Sequence, residues 1–128
     1  SPATRRMGLP KVATVALAAL TAAAAAADGN AVRGQTLYDE RCSGCHSLDS
    51  HRVGPLHRGV VGRRAGSAPG YEYSPALARA KIVWDARALD AWLADPEKLF
   101  PGQRMGYRVT DAADRADLIA YLQRESMR

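Results

Sequence analysis

The chain holds two cysteines, Cys42 and Cys45, and they stand two residues apart with His46 directly after the second. The run Cys42-Ser43-Gly44-Cys45-His46 therefore packs two thiols and an imidazole into one turn's worth of backbone. Any fold must leave that turn able to present all three. Several chemistries compete for such a run. A structural zinc site normally draws on four ligands, and His46 lies too close to Cys45 to serve easily beside it. His51 and His57 lack the paired spacing that would complete such a site. A Cys-x-x-Cys redox pair fits an oxidising compartment, but it usually rides on a strand-helix scaffold. A plain disulfide is the ordinary fate of exported thiols.

Export is the expectation from the N-terminus. Arg5, Arg6 and Lys11 precede "VATVALAALTAAAAAA", Val12 to Ala27, a run without charge, glycine or proline. A basic start, an apolar middle and small residues at the end describe a secretory signal peptide over 1–27, with cleavage near Ala25-Ala26-Ala27. Met7 would be the initiator if residues 1–6 are a start-site artefact. An uncleaved membrane anchor is the alternative, disfavoured because the run is short for a span and mostly alanine. The domain proper is then 28–128. Its 15 Lys and Arg against 13 Asp and Glu leave +2, a balance that gives no sign of a nucleic-acid binder. A chain of that size buries a modest core, and Phe100 is its sole phenylalanine. A large apolar cofactor would fill what the side chains leave.

Three helices are expected and no strands. The first covers "NAVRGQTLYDERC" from Asn30, capped by Asp28 or Asn30, with Val32, Leu37 and Tyr38 as its apolar stripe. Gly34 inside it costs about 1 kcal/mol against alanine, so something must approach its backbone closely. Residues 50–75 follow as a long irregular segment with Gly54, Gly59, Gly62, Gly66, Gly70, Pro55, Pro69 and Pro75 as turn formers. Structureless segments of this length are usually functional. Asp85 caps a short helix carrying Leu89, Trp92 and Leu93, which stops at Asp95-Pro96. After a second irregular stretch, "EKLFPGQRMGYRV", Thr110 or Asp111 caps the last helix, with Leu118, Ile119, Tyr121 and Leu122 on its apolar face.

Cys-x-x-Cys-His is also the attachment motif of a c-type haem. The two thiols add to the porphyrin vinyl groups, and the next histidine is held beneath the iron. This reading accounts together for the two cysteines, the adjacent histidine, export, the thin core and the long loops. The iron's sixth position has His51, His57 and three methionines as candidates. Met7 falls in the leader and Met127 at the C-terminus. Met105 sits in "PGQRMGY" among Gly102, Gln103, Arg104 and Gly106, which make poor core, so a ligand role suits it better than filling. His57 reads as a solvated loop histidine.

The stretches "CSGCH", "VGPLHRGVVGRRAG", "APGYEYS", "VWD", "WLADPEKLFPGQRM" and "RADLIAYL" together resemble the class I c-type cytochromes, mitochondrial and soluble bacterial. The resemblance runs from about Gly34 to Leu122. It implies an all-α fold in which the first and last helices cross at Gly34 and Tyr121 while long loops wrap one haem. It implies that Cys42 and Cys45 carry the haem and that His46 and Met105 are its axial ligands. Pro55 would accept the second ring N–H of His46 through its carbonyl. Arg63, Tyr73 and Trp84 look like partners of the haem propionates, and Trp92 stands beside the methionine ligand. The chain departs from the pattern at His57, where the family tends to have an apolar residue against the haem. It departs again at Leu77, where asparagine is common, and in a distal loop one residue shorter than in mitochondrial forms.

The function implied is that of a soluble periplasmic one-electron carrier with a single covalently bound haem c. It would be a monomer, not an enzyme, with no small-molecule substrate and no nucleic acid. Its partners would be membrane or soluble redox proteins with an acidic face, met by Arg41, Arg104 and Lys98 around the haem edge. The rivals are a haem-bearing subunit of a periplasmic dehydrogenase or oxidase, and a haem sensor or peroxidase-like protein with an open sixth site.

Overall fold

The computed structural model describes residues 2–16 and 29–128. Of the expected leader, 1–27, residue 1 and residues 17–27 lie outside the described residues, and so does Asp28. Residues 2–16 carry no helix or strand. No helix among the described residues is long and apolar enough to cross a membrane.

Among the described residues five helices follow one another: α1 Ala31–Arg41, α2 Pro75–Ala78, α3 Ala86–Ala94, α4 Pro96–Leu99 and α5 Ala112–Ser126. Among the described residues the only β pairing is one isolated antiparallel bridge, Arg64 with Val83. Each of the long helices starts where a side chain accepts the otherwise unpaired N–H groups of its first turn. Asn30 Oδ1 accepts from Val32 and Arg33, both at 3.0 Å. Asp85 accepts from Ala88 at 2.7 Å, and Asp111 from Asp114 at 2.8 Å. The two short helices, α2 and α4, open with proline directly after a capping Ser74 or Asp95. Proline is suited to that first position because its missing N–H would have no partner there.

α1 packs across α5, and α5 also touches α3. The α1 face that does this is Gly34, Leu37 and Tyr38. Val32 is not part of it: its side chain is 71 % exposed, so the expected stripe is shifted by the helix's true rotation. Leu118, Ile119, Tyr121 and Leu122 of α5 are buried opposite, as the periodicity predicts. Gly34 has its reason here. A β-carbon on it would stand 1.9 Å from the Asp117 carbonyl oxygen and 2.9 Å from Tyr121 Cβ.

Ion pairs fasten the rim of this crossing. Arg33 donates to Asp117 Oδ2 and Asp114 Oδ1, each at 2.6 Å, and Arg41 reaches Asp114 Oδ2 at 3.3 Å. Asp117 Oδ1 also accepts from the Asn30 N–H at 2.7 Å. The first helix is thus capped by Asn30, and that residue is itself tied to α5.

Candidate haem-attachment site

Cys42 ends α1, and its N–H still bonds the Tyr38 carbonyl at 2.8 Å. The chain then turns: Cys45 and His46 both donate to the Cys42 carbonyl, at 3.1 and 2.9 Å. Arg52 clasps the outside of this turn by donating to the carbonyls of Ser43 and Gly44. The thiols are free and differ in setting, Cys42 half-buried and Cys45 exposed. Burial pushes the Cys42 thiol up to about 11, against the opposing pull of Arg41.

His46 is fixed more closely. Its Nδ1–H donates to the Pro55 carbonyl at 2.9 Å. A carbonyl can only accept, so the proton sits on Nδ1 and the Nε2 lone pair is left available. Burial lowers the affinity of this ring for a second proton, outweighing the Pro55 carbonyl, which works the other way. A neutral imidazole with a free Nε2 is the form that binds a metal. Gly54, the residue before Pro55, lies so close that a β-carbon there would be 2.0 Å from His46 Cε1. No other residue fits at that position without displacing the ring.

Beside this turn opens a cavity of about 560 Å³, within the roughly 300–1,000 Å³ range of small-molecule and cofactor sites. Cys42, Cys45, His46 and Met105 all line it, though Met105 comes from the far end of the chain. Pro55, Arg63, Tyr73, Trp84 and Trp92 line it as well, so every residue expected at the site faces one space. Arg63 and Trp84 arrive together through the short bridge: Trp84 N–H donates to the Arg63 carbonyl at 2.9 Å. The Arg63 guanidinium donates to the Leu56 carbonyl at 2.8 Å and to that of Arg58 at 3.4 Å. Tyr73 Oη accepts from the Ala68 N–H at 3.1 Å. Trp84, Trp92 and Phe100 form one aromatic cluster with centroids 5.6 to 6.3 Å apart.

These residues fit a haem. The wall joins two thiols, a metal-competent imidazole and a thioether with a largely apolar lining. His and Met are borderline and soft donors of the kind that hold haem iron in c-type centres, and the two thiols would carry the porphyrin itself through thioethers. No group of three or more His, Cys, Asp or Glu gathers elsewhere among the described residues as a metal shell.

Sequence reasoning missed several supports. The loop that carries Met105 is braced by Glu97, which accepts from Gly102 N–H at 2.9 Å and from Gln103 Nε2 at 3.0 Å. Gln103 Oε1 in turn accepts from Gly106 N–H at 2.9 Å. A polar pair flanking a glycine-rich loop was the signal available. His51 is a brace too: Leu56 N–H donates to its Nδ1 at 3.0 Å, and its Nε2–H donates to the Pro69 carbonyl at 2.7 Å. With both ring nitrogens engaged, His51 is not free to bind a metal.

His57 corrects the reading of a solvated histidine. Its ring stacks on His46 with centroids 4.0 Å apart and planes 20° from parallel. Its Nδ1 lies 3.0 Å from Tyr38 Oη. Burial holds its proton affinity well below the ordinary histidine range, helped by the neighbouring His46 and Arg63. Lys98 is a second correction. It lies in a separate shallow groove with Asp95 and Arg108, not on the haem cavity, whereas Arg41 and Arg104 do line that cavity.

Crossed terminal helices, long loops and a cavity walled by a Cys-x-x-Cys-His turn define the class I c-type cytochrome fold. A model of the cytochrome c family matches residues 31–125. Cytochrome c2 of Rhodomicrobium vannielii is 37% identical over 116 residues, covering 88% of this chain and 92% of that protein. Cytochrome c2 of Rhodopila globiformis is 42% identical over 98 residues, 74% of this chain and 92% of that one. The solved structure of cytochrome cH from Methylobacterium extorquens superposes with a TM-score of 0.72 at 40% identity, covering 75% of this chain and 99% of that chain. The chain belongs to the cytochrome c family. That family consists of haem-bearing electron carriers and not of enzymes.

Proposed function

We propose that this chain is an exported, soluble periplasmic carrier of one electron, holding a single haem c through thioethers at Cys42 and Cys45. His46 Nε2 and Met105 Sδ would be the axial ligands. The haem, when bound, supplies the one-electron redox couple. The chain's own residues do the rest. Pro55 orients the His46 ring and raises its basicity, Gly54 leaves room for it, and Arg52 keeps the attachment turn closed. Trp84, Trp92 and the buried Leu77 keep water from the interior of the cavity. Arg63, Tyr73 and Trp84 are proposed to face the propionates. Redox partners would present an acidic surface to Arg104.

The observation that carries the reading is the convergence on one cavity of the Cys42–His46 turn and Met105, which are far apart in the chain. The test is mass and colour together. The exported protein should have the mass of a chain beginning near Asp28 plus one haem, and acid-acetone should leave the pigment on the protein. Its visible spectra should be low-spin in both oxidation states. Replacing Cys42 and Cys45 together by Ala should abolish attachment. Pigment that extracts freely from the wild type, or two reactive thiols in the coloured protein, would defeat the proposal.

A further inference from the structure

The His57 ring is restrained at several points. Its own backbone N–H donates to the carbonyl of Ser47, the residue after His46, at 3.0 Å. Its Nδ1 is bonded to Tyr38 Oη at 3.0 Å. Tyr38 is buried, and it packs on Tyr121 of α5 with centroids 5.1 Å apart. A line of contacts therefore runs from the helix crossing through Tyr38 to His57, and from His57 to the face of His46. Packing alone does not call for an imidazole here, because an aliphatic side chain would also fill the space. Histidine offers a flat π face to His46 together with a ring nitrogen for Tyr38, which neither an aliphatic side chain nor phenylalanine does.

We propose that His57 is a positioning residue for His46: an imidazole anchored by Tyr38 that fixes the plane of the ligand ring and lends electron density to its face. The proposal rests on His46 being an iron ligand. A ring bound to ferric iron is electron-poor, and an electron-rich ring on its face stabilises it, as aromatic faces stabilise cations. The contact favours the ferric state over the ferrous and so lowers the reduction potential. The fixed plane sets the asymmetry of the electronic environment around the iron.

The test uses the full haem-loaded chain as wild type, His57→Leu, His57→Phe and Tyr38→Phe. Reduction potentials come from redox titration, and the ligand plane from the spread of paramagnetically shifted haem-methyl NMR signals. His57→Leu removes both the π face and the anchor, so the potential should rise and the methyl spread should change. His57→Phe keeps a face but not the anchor: its potential should stay nearer the wild type while the methyl pattern moves. Tyr38→Phe removes one oxygen and should move the methyl pattern in the same sense. A loaded His57→Leu protein with the wild-type potential and methyl pattern would overturn the proposal. If that variant does not load, an unchanged methyl pattern in Tyr38→Phe overturns it instead. A wild type without the shifted resonances of an iron-bound imidazole would overturn the ligand reading itself, and this proposal with it.

Discussion

Gly34 and Asp117 touch backbone to backbone: a β-carbon on the glycine would stand 1.9 Å from the Asp117 carbonyl oxygen. Neither partner is a flexible side chain, so α1 and α5 would have to separate to admit a methyl group. Gly34→Ala should therefore cost about 3 kcal/mol, at the upper end of ordinary overpacking, despite alanine's better helix propensity. For a domain of this size the melting temperature should fall by roughly 15 °C. Gly44→Ala is the control, since nothing lies within 4 Å of the added carbon. Thermal melts of the two variants decide it, and equal melting temperatures would mean that the helices do not meet here.

The Asp117 side chain gives the same crossing a dependence on pH. The Arg33 guanidinium, and then the Asn30 N–H, hold its carboxyl below the usual carboxylate range. A carboxyl with a folded-state value below its unfolded one contributes stability above the unfolded value and loses it as pH falls through the folded one. Asp117→Asn should therefore lower stability at pH 7 by at most about 1 kcal/mol, the range of a partly exposed ion pair. The gap between variant and wild type should narrow as pH falls below about 4. Urea melts at pH 7 and pH 3 read this directly, and a gap that widens in acid would refute the pairing.

How much of this was legible depended on whether the signal was local. Asn30, Asp85 and Asp111 announce helix starts because a cap acts on its own next turn. α2 and α4 escaped because four residues are too few to show a period, although Ser74-Pro75 and Asp95-Pro96 are cap-and-proline starts. Val32 misled because three apolar residues define a helix face only loosely, whereas the true face was marked by the costly Gly34. The Cys42–His46 turn was legible because its chemistry is contained in five adjacent residues. The stack of His57 on His46 was not, since the path of a segment rich in glycine and proline is set by contacts such as Tyr38 that come from elsewhere in the chain. Lys98 failed as a guide to the basic face for a related reason, since it sits in a different groove. Arg41 lines the cavity but is also paired with Asp114.

Arg104 is left as the cation to test for partner docking. It is exposed and lines the cavity, and no ion pair holds it among the described residues. Charge steering raises association rates and fades as salt screens it. Arg104→Glu should slow electron exchange with an acidic redox protein several-fold at low salt and flatten the salt dependence. Stopped-flow rates across an ionic-strength series measure both. Rates indifferent to salt in wild type and variant alike would remove this face from consideration.

Met105→Ala addresses the sixth position. The loop should keep its shape, because the bonds from Glu97 to Gly102 and Gln103, and from Gln103 to Gly106, do not involve the methionine side chain. Attachment should survive as well, since Cys42, Cys45 and His46 are untouched. A thioether is a soft donor that favours ferrous iron, so its loss should lower the reduction potential. The fall should be a sizeable part of the roughly 0.8 V over which axial ligands set haem potentials. His57 cannot replace it, because a ring stacked face to face on His46 is not free to take another position. Lys98 lies off the cavity, so water should fill the place. The far-red charge-transfer band of sulfur-ligated ferric haem should vanish, and high-spin character should appear. Met127→Ala should do none of this, its side chain being 83 % exposed at the end of α5. Spectra and redox titrations of both variants settle the assignment: if Met105→Ala retains the band and the potential, another residue holds the iron.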